Sequence, residues 1–330
     1  MKHITILSDI KYSLFGLTCI RSLAGTTSIP LTIHYYCADM DTYHAFNKLK
    51  LNTEKVQVIA YAPDVIFQDK TDKSNAMYNL KNTHYTYFLW TLASYFSDYI
   101  MKKIDQPVTY IDSDIYFHND INLIYDEIGQ KDCGIFKHRF LDDGTPDIDN
   151  NGKYNVGVVY FNNSVKGKYL LDWWSDAVVH KKYPEYATCG DQKYLEYFTT
   201  CCDSTELYID DNIGHGAPWD WQVYDLSRIK DGTLKWKGQH LPHVFSHFSK
   251  FGFDFDNNDF KCITYPEQYA KYNNNNIAYQ NKNLVEIHRK YYEELKISYI
   301  MLRQHTPISA SNMFTQPTIK PIRWGLSKSR

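Results

Sequence analysis

The sequence predicts an α/β fold with a mostly parallel central sheet flanked by helices. Two observations carry that expectation. Apolar, β-rich runs alternate with helical segments, and the longest early segment feeds straight into one of the runs. The runs are 4–7, 31–37 (Leu-Thr-Ile-His-Tyr-Tyr-Cys), 56–61 (Val-Gln-Val-Ile-Ala-Tyr) and 108–111 (Val-Thr-Tyr-Ile), while 14–24 and 84–103 read as helices. Apolar and aromatic residues at 85, 88, 89, 92, 96, 99 and 100 keep helical spacing, which predicts one face of 84–103 lying on the sheet. Further strand-like runs follow at 133–136 and 154–161, then a helix over about 165–182 with Trp173 and Trp174. The Asp- and Gly-rich stretch 140–153 reads as a polar loop. A final amphipathic helix at 284–302 turns Leu284, Ile287, Tyr291, Leu295, Tyr299 and Leu302 inward. No internal repeat occurs.

Composition narrows the function. With 330 residues, 43% apolar and 16% aromatic, the chain can bury a substantial core, so disorder is excluded for most of it. A net charge of −2, from 36 Lys plus Arg against 38 Asp plus Glu, supplies no attraction for a polyphosphate backbone, and nucleic acid is not an expected partner. The seven cysteines are odd in number, lack a C-x-x-C pair and include the vicinal Cys201-Cys202, which predicts reduced thiols in a cytoplasmic setting. The N-terminus opens on strand-like Ile4-Thr5-Ile6-Leu7 rather than a charged and then long apolar leader, and no run of about 18 apolar residues occurs. Neither secretion nor membrane spanning is expected.

The main chemical signal is Val108-Thr-Tyr-Ile-Asp-Ser-Asp-Ile-Tyr-Phe117, where Asp112 and Asp114 end an apolar strand. Ligands of open α/β sheets bind at that edge. Hard divalent cations take oxygen ligands, so such a pair can hold Mn²⁺ or Mg²⁺ while donor phosphates complete the shell. Asp39-Met-Asp41, Asp147-Ile-Asp149 and Asp254-Phe-Asp256 share the spacing but read as turns or caps. Only Asp112 and Asp114 are flanked by apolar residues on both sides. A third ligand is expected from a distant segment, with His247 in His243-Val-Phe-Ser-His-Phe-Ser-Lys250 first and His243 and His215 in competition. Lys250 offers a point charge for phosphate.

Three more segments carry candidates. Asn155-Val-Gly157 presents an amide and a small residue where a sugar hydroxyl could approach the backbone, or simply a turn into a strand. Thr188-Cys-Gly-Asp191-Gln192 places an acid and an amide at the start of a helix, where Asp191 is either an N-cap, a site residue or both. Gly214-His-Gly-Ala-Pro-Trp219-Asp-Trp221 is an aromatic turn that either stacks on a sugar or closes the core.

Tyr110-Ile-Asp-Ser-Asp114, Asn155-Val-Gly157, Gly190-Asp-Gln192 and His247 occur in the order found in GT-A glycosyltransferases, and the chain resembles family 8-like members. It resembles more closely a group of uncharacterised bacterial glycosyltransferases, through Asp112-Ser-Asp114, His138-Arg-Phe140, Tyr154-Asn-Val-Gly-Val158, Trp173-Trp174 with Asp191-Gln-Lys-Tyr-Leu195, and Ala217-Pro-Trp-Asp220. The resemblance spans about residues 3 to 250. It implies a GT-A fold and metal-dependent transfer of a hexose from a nucleotide-diphosphate sugar, a UDP-sugar favoured, to a saccharide or glycoconjugate, with retention of configuration. It implies that Leu7, Ser8, Asp9 and Tyr12 hold base and ribose, and that Asp112 binds metal and touches ribose. Asp114 and His247 would complete the metal shell, and Asn155 would contact the donor sugar. Asp191 and Gln192 would stand beside the anomeric carbon. Two departures concern the donor: the arginine expected on the helix before Asp112 is missing from 84–103, and Lys250 follows His247 at shorter spacing than in family 8.

A catalytic unit over 1–260 is therefore expected, with its nucleotide-binding half reaching about 115, followed by a helical extension and basic tail over 261–330. In that tail Lys320, Arg323, Lys328 and Arg330 surround Trp324, which predicts weak peripheral membrane contact through 318–330. The rival readings are a nucleotidyltransferase, which needs a Gly-rich phosphate loop where only Gly16 and Gly25 stand, a carbohydrate-binding protein, and a glycoside hydrolase pairing Asp191 with Asp220.

Overall fold

The computed structural model describes residues 1–140, 147–261 and 281–312; the basic tail lies outside them. The first half alternates strand and helix: β1 (Lys2–Ser8), α1 (Ser13–Thr26), β2 (Leu31–Cys37), α2 (Met40–Lys48), β3 (Val56–Tyr61), α3 (Asp72–Thr83), α4 (Tyr85–Ile104) and β4 (Val108–Ile111). Next come β5 (Ile115–Phe117), α5 (Asn122–Ile128), β6 (Cys133–Lys137), α6 (Asp147–Asn151), β7 (Tyr154–Phe161), α7 (Val165–Val179), α8 (Phe198–Cys201) and β8 (Leu207–Ile209). The remainder holds β9 (Gly214–Gly216), β10 (Thr233–Trp236), β11 (Gln239–His247), β12 (Gly252–Asp254), β13 (Asp259–Lys261) and a C-terminal helix, Lys282–Leu302.

Seven strands form the main sheet in the order β3-β2-β1-β4-β7-β6-β8. The pairs from β3 to β4 and the pair β6–β8 are parallel, while β7 runs antiparallel to both β4 and β6. Both faces are covered, so the strands read as continuous apolar runs whose alternate residues enter different cores. Ile4, Ile6, Ile33, Tyr35 and Ile111 join the cluster under α1, whereas Leu7, Tyr36, Val108 and Tyr110 join the cluster under α4 and α7.

The expected strands and helices are present, with three corrections. Helix α4 buries Ser94, Ser97 and Asp98 as well as its apolar stripe, because α7 packs on it from outside and the sheet from inside. Within 140–153, residues 147–151 form a helix rather than loop. The helices α2 and α5 are too short to show a helical period, and α3 is mostly polar, which hid them in the sequence. Among the described residues no helix is long and apolar enough to cross a membrane.

The C-terminal helix packs on α1, where Arg21 pairs with Glu294 at 3.0 Å and Thr18 donates to Ser298 at 2.8 Å. Its expected face is largely borne out: Leu284, Tyr291, Leu295 and Leu302 are buried, and Ile287 and Tyr299 half-buried.

Candidate active site

β1 and β4 are parallel neighbours, so the residues that follow them, Asp9 and Asp112, emerge at the same sheet edge. The Asp112 N–H donates to the Gly157 carbonyl at 2.9 Å, continuing the β4–β7 ladder past Ile111. After the turn, β5 pairs antiparallel with β11 in a register that sets His247 opposite Ile115. The Phe248 N–H then donates to the Asp114 carbonyl at 2.9 Å. This small second sheet carries His247 to acids far away in sequence.

The outcome is a cluster in which Asp112, Asp114 and His247 each offer a ligand atom, all within 4.8 Å of one another. His247 Nε2 lies 3.0 Å from Asp114 Oδ1 and 3.6 Å from Asp112 Oδ2. Desolvation raises the Asp112 pKa; His247 opposes the shift and Asp114 adds to it. Burial alone would depress the His247 imidazole, but Asp114 and then Asp112 outweigh it and its pKa rises. The two converging carboxylates thus favour positive charge at this position. A divalent cation would supply it, with a donor set of two oxygens and one nitrogen that suits Mn²⁺.

His243 and His215 are occupied elsewhere. His243 Nε2 shares Ser246 Oγ with His118, at 3.0 and 2.8 Å, and its ring stacks on His118 at 4.1 Å. His215 stands between Asp210 (3.2 Å) and Asp220 (3.3 Å). Two of the other Asp-x-Asp repeats serve the local backbone: Asp39 caps α2 by accepting the Thr42 N–H, and Asp254 accepts the amides of Asp256 and Asn257 in the turn after β12.

The remaining candidates surround the cluster. Leu7 and Ser8 end β1, Ser8 bonded to the Tyr35 hydroxyl. Asp9 accepts the N–H groups of Lys11 and Tyr12, shaping the turn before α1, and burial raises its pKa. Tyr12 keeps 45% of its surface exposed. Burial, then Asp114, Asp9 and Asp112, push its hydroxyl up to about 12, so the side chain lies near both the turn after β1 and the acids after β4.

Asn155 and Gln192 are joined, Asn155 Nδ2 donating to Gln192 Oε1 at 2.8 Å, and Gln192 Nε2 donates to the Asn151 carbonyl at 2.8 Å. Asp191 does not cap a helix, which corrects one reading of the sequence. The 3-10 turn Lys193–Tyr197 has Gln192 at its cap without a side-chain bond. Burial and then Asp112 push the Asp191 carboxyl well above the usual range, which places it within electrostatic reach of the metal acids. Lys250 is exposed on the turn after β11 with φ of 60°, near enough for its charge to oppose the rise that burial imposes on the Cys189 thiol.

The contacts of several aromatic residues were not visible in the sequence. The Tyr110 hydroxyl donates to Asp112 Oδ1 at 2.6 Å. Trp174 Nε1 donates to the Asp191 carbonyl at 3.0 Å, pinning the loop from beneath. The Trp219 ring meets His247 edge-on at 5.2 Å and His138 at 5.4 Å. Trp219 and Trp221 are both buried, so this turn closes the core. Tyr85, half-exposed at the start of α4, feels the charges of Asp9 and Asp39 and so lies near the turn after β1. A Tyr or Trp two to twenty residues from a motif carries no spacing signal of its own.

No family model matches the chain. In Bacillus subtilis (strain 168) it is 28% identical to the uncharacterized protein YfnF over 237 residues, covering 66% of this chain and 72% of YfnF. To the uncharacterized protein YfnD of the same strain it is 26% identical over 171 residues, covering 50% of this chain and 53% of YfnD. Among solved structures, galactosyltransferase LgtC, in complex with donor and acceptor sugar analogs, superposes with a TM-score of 0.50 at 12% identity, covering 93% of this chain and 97% of LgtC. The glycosyltransferase GlyE of Streptococcus pneumoniae TIGR4 gives 0.50 at 16% identity, covering 95% of this chain and 67% of GlyE. At these identities the likeness establishes the fold, which is GT-A.

Proposed function

We propose that this protein is a metal-dependent glycosyltransferase that moves a hexose from a UDP-sugar to a saccharide or glycoconjugate acceptor, with retention of configuration. The observation that carries the reading is the convergence of Asp112, Asp114 and His247 at the carboxyl edge of a GT-A sheet. Bound there, a divalent cation would neutralise the charge that develops on the departing diphosphate. Around it, the turn held by Asp9 and the ring of Tyr12 receive base and ribose, and Lys250 adds positive charge at the mouth. Asp191 and Gln192, anchored by Trp174 and Asn151, flank the transferred sugar. Their part is positioning, which lowers the barrier by holding reacting atoms close and aligned. Reduced cysteines fit a cytoplasmic enzyme: Cys201 and Cys202 sulfurs lie 3.8 Å apart, unbonded.

The rivals find less support. A Cβ on Gly16 would come within 2.0 Å of the Tyr35 hydroxyl, so this glycine serves helix-on-sheet packing rather than a phosphate loop. Asp220 is sealed from solvent, accepts the Ala217 N–H and faces His215, which leaves it no route to a glycosidic bond. A carbohydrate-binding protein has no need of Asp112 and Asp114 at a buried strand end. The test is UDP release from a panel of UDP-hexoses with Mn²⁺. Slow, EDTA-sensitive turnover of at least one donor is expected; no turnover of any donor, or turnover indifferent to EDTA, contradicts the reading.

A further inference from the structure

Asn155, Gly157 and His247 meet in a contact whose polarity can be read completely. The Gly157 N–H donates to Asn155 Oδ1 at 2.7 Å, which fixes that end of the amide as oxygen. The same Oδ1 lies 3.1 Å from His247 Nδ1, so Nδ1 must carry a proton to make the bond. Nε2, at 3.0 Å from Asp114, is then the nitrogen left to ligate a metal. At the other end, Asn155 Nδ2 donates to Gln192 Oε1, and Gln192 Nε2 donates to the Asn151 carbonyl, so every donor in the chain has its acceptor. Neutral His138, its pKa pulled down to about 3 chiefly by burial, accepts a second, longer contact from Nδ2 at 3.3 Å.

Gly157 gives independent support. A Cβ there would lie 2.6 Å from Asn155 Oδ1 and 2.8 Å from His247 Nδ1. The glycine therefore clears the space in which amide and imidazole meet.

We infer that Asn155 is a positioning residue for the metal site: it fixes the tautomer and ring direction of His247, and Gly157 keeps that contact open. The other end of the same amide reaches Gln192, which the proposed function sets beside the transferred sugar. Partners of this kind orient ligating histidines and raise their basicity, and losing one typically weakens metal binding 10–100-fold. The inference rests on the metal-site reading above.

The test is Mn²⁺ affinity of the full chain without nucleotide, followed through the EPR signal of free Mn²⁺. Asn155→Ala and Gly157→Ala should weaken binding about 10–100-fold although neither removes a ligand. Asn155→Asp keeps an acceptor for Nδ1–H and should bind Mn²⁺ within a few-fold of the native chain or more tightly. Gln192→Ala should leave Mn²⁺ affinity unchanged, and all four should keep the native thermal transition within a few degrees. Native affinity in Asn155→Ala overturns the inference while leaving the metal site standing. So does a loss in Asn155→Asp as large as in Asn155→Ala. Failure of the native chain itself to bind Mn²⁺ contradicts the metal site, and the inference falls with it.

Discussion

Gly190 lies directly beneath the indole of Trp90: a Cβ at that position would stand 3.0 Å from Trp90 Cε3 and 3.2 Å from Cδ2. The backbone there has φ of 54°, in the left-handed region, so a side chain at this position is strained by conformation as well as by contact. Trp90 itself remains 51% exposed while roofing the buried Gly190-Asp191 floor.

Gly190→Ala should therefore cost about 1–2 kcal/mol from the backbone alone. It should also displace Asp191, lowering donor turnover by about tenfold or more. Removing the indole separates the two causes. In the double variant with Trp90→Ala the contact is gone and only the backbone strain remains, so thermal stability should recover in part. No recovery relative to Gly190→Ala, after correcting for Trp90→Ala alone, shows that the contact is unimportant.

Asp191→Asn and Gln192→Ala should reduce kcat by about tenfold or more while leaving the affinity for UDP with Mn²⁺ within about threefold, because contacts made chiefly in the transition state register in kcat. Steady-state kinetics beside UDP calorimetry decide it. Weakened UDP binding with normal kcat assigns both residues to the nucleotide instead.

The buried histidines predict acid lability. Burial, with neighbouring positive groups, holds His118 well below its ordinary value, His243 near about 3 and His34 near about 4; burial holds His288 near about 4. Each is neutral in the native state and protonates in the unfolded chain near its ordinary value of 6.5. Their stabilising contribution is thus present above that pH and is lost as pH falls towards 4. His288, among Phe248, Phe251 and Trp221, contributes a pH 7 to 5 difference of about 2 kcal/mol. Chemical denaturation in EDTA should show His288→Phe with a shallower loss between those pH values by that amount. An unchanged slope contradicts the assignment.

Six of the seven strands of the sheet were legible because their apolar runs are mostly buried and bounded by polar turns, so their boundaries stand out within a residue or two, whereas β8, three residues at the sheet edge, carries too short a run to be seen. Asp112 and Asp114 were legible for a related reason: two acids inside an apolar run have no structural use. His247 was selected from three histidines by β5–β11 pairing, which no local pattern records. Asn155 and Gly157 were visible as a pair, yet the space over Gly157 holds His247, a contact between residues about 90 positions apart. The positive φ of Gly190 and the indole above it belong to tertiary structure, and spacing along the chain carries no trace of either.

The most direct measurement is the calorimetric affinity for UDP with and without Mn²⁺, in the native chain and in Asp114→Asn. Mn²⁺ should tighten UDP binding in the native chain at least tenfold. Asp114→Asn should lose that gain while keeping its thermal transition, since a carboxylate at the strand end faces its partners across the site rather than the core. Equal UDP affinity in Mn²⁺ and EDTA would contradict the metal-dependent mechanism at its root.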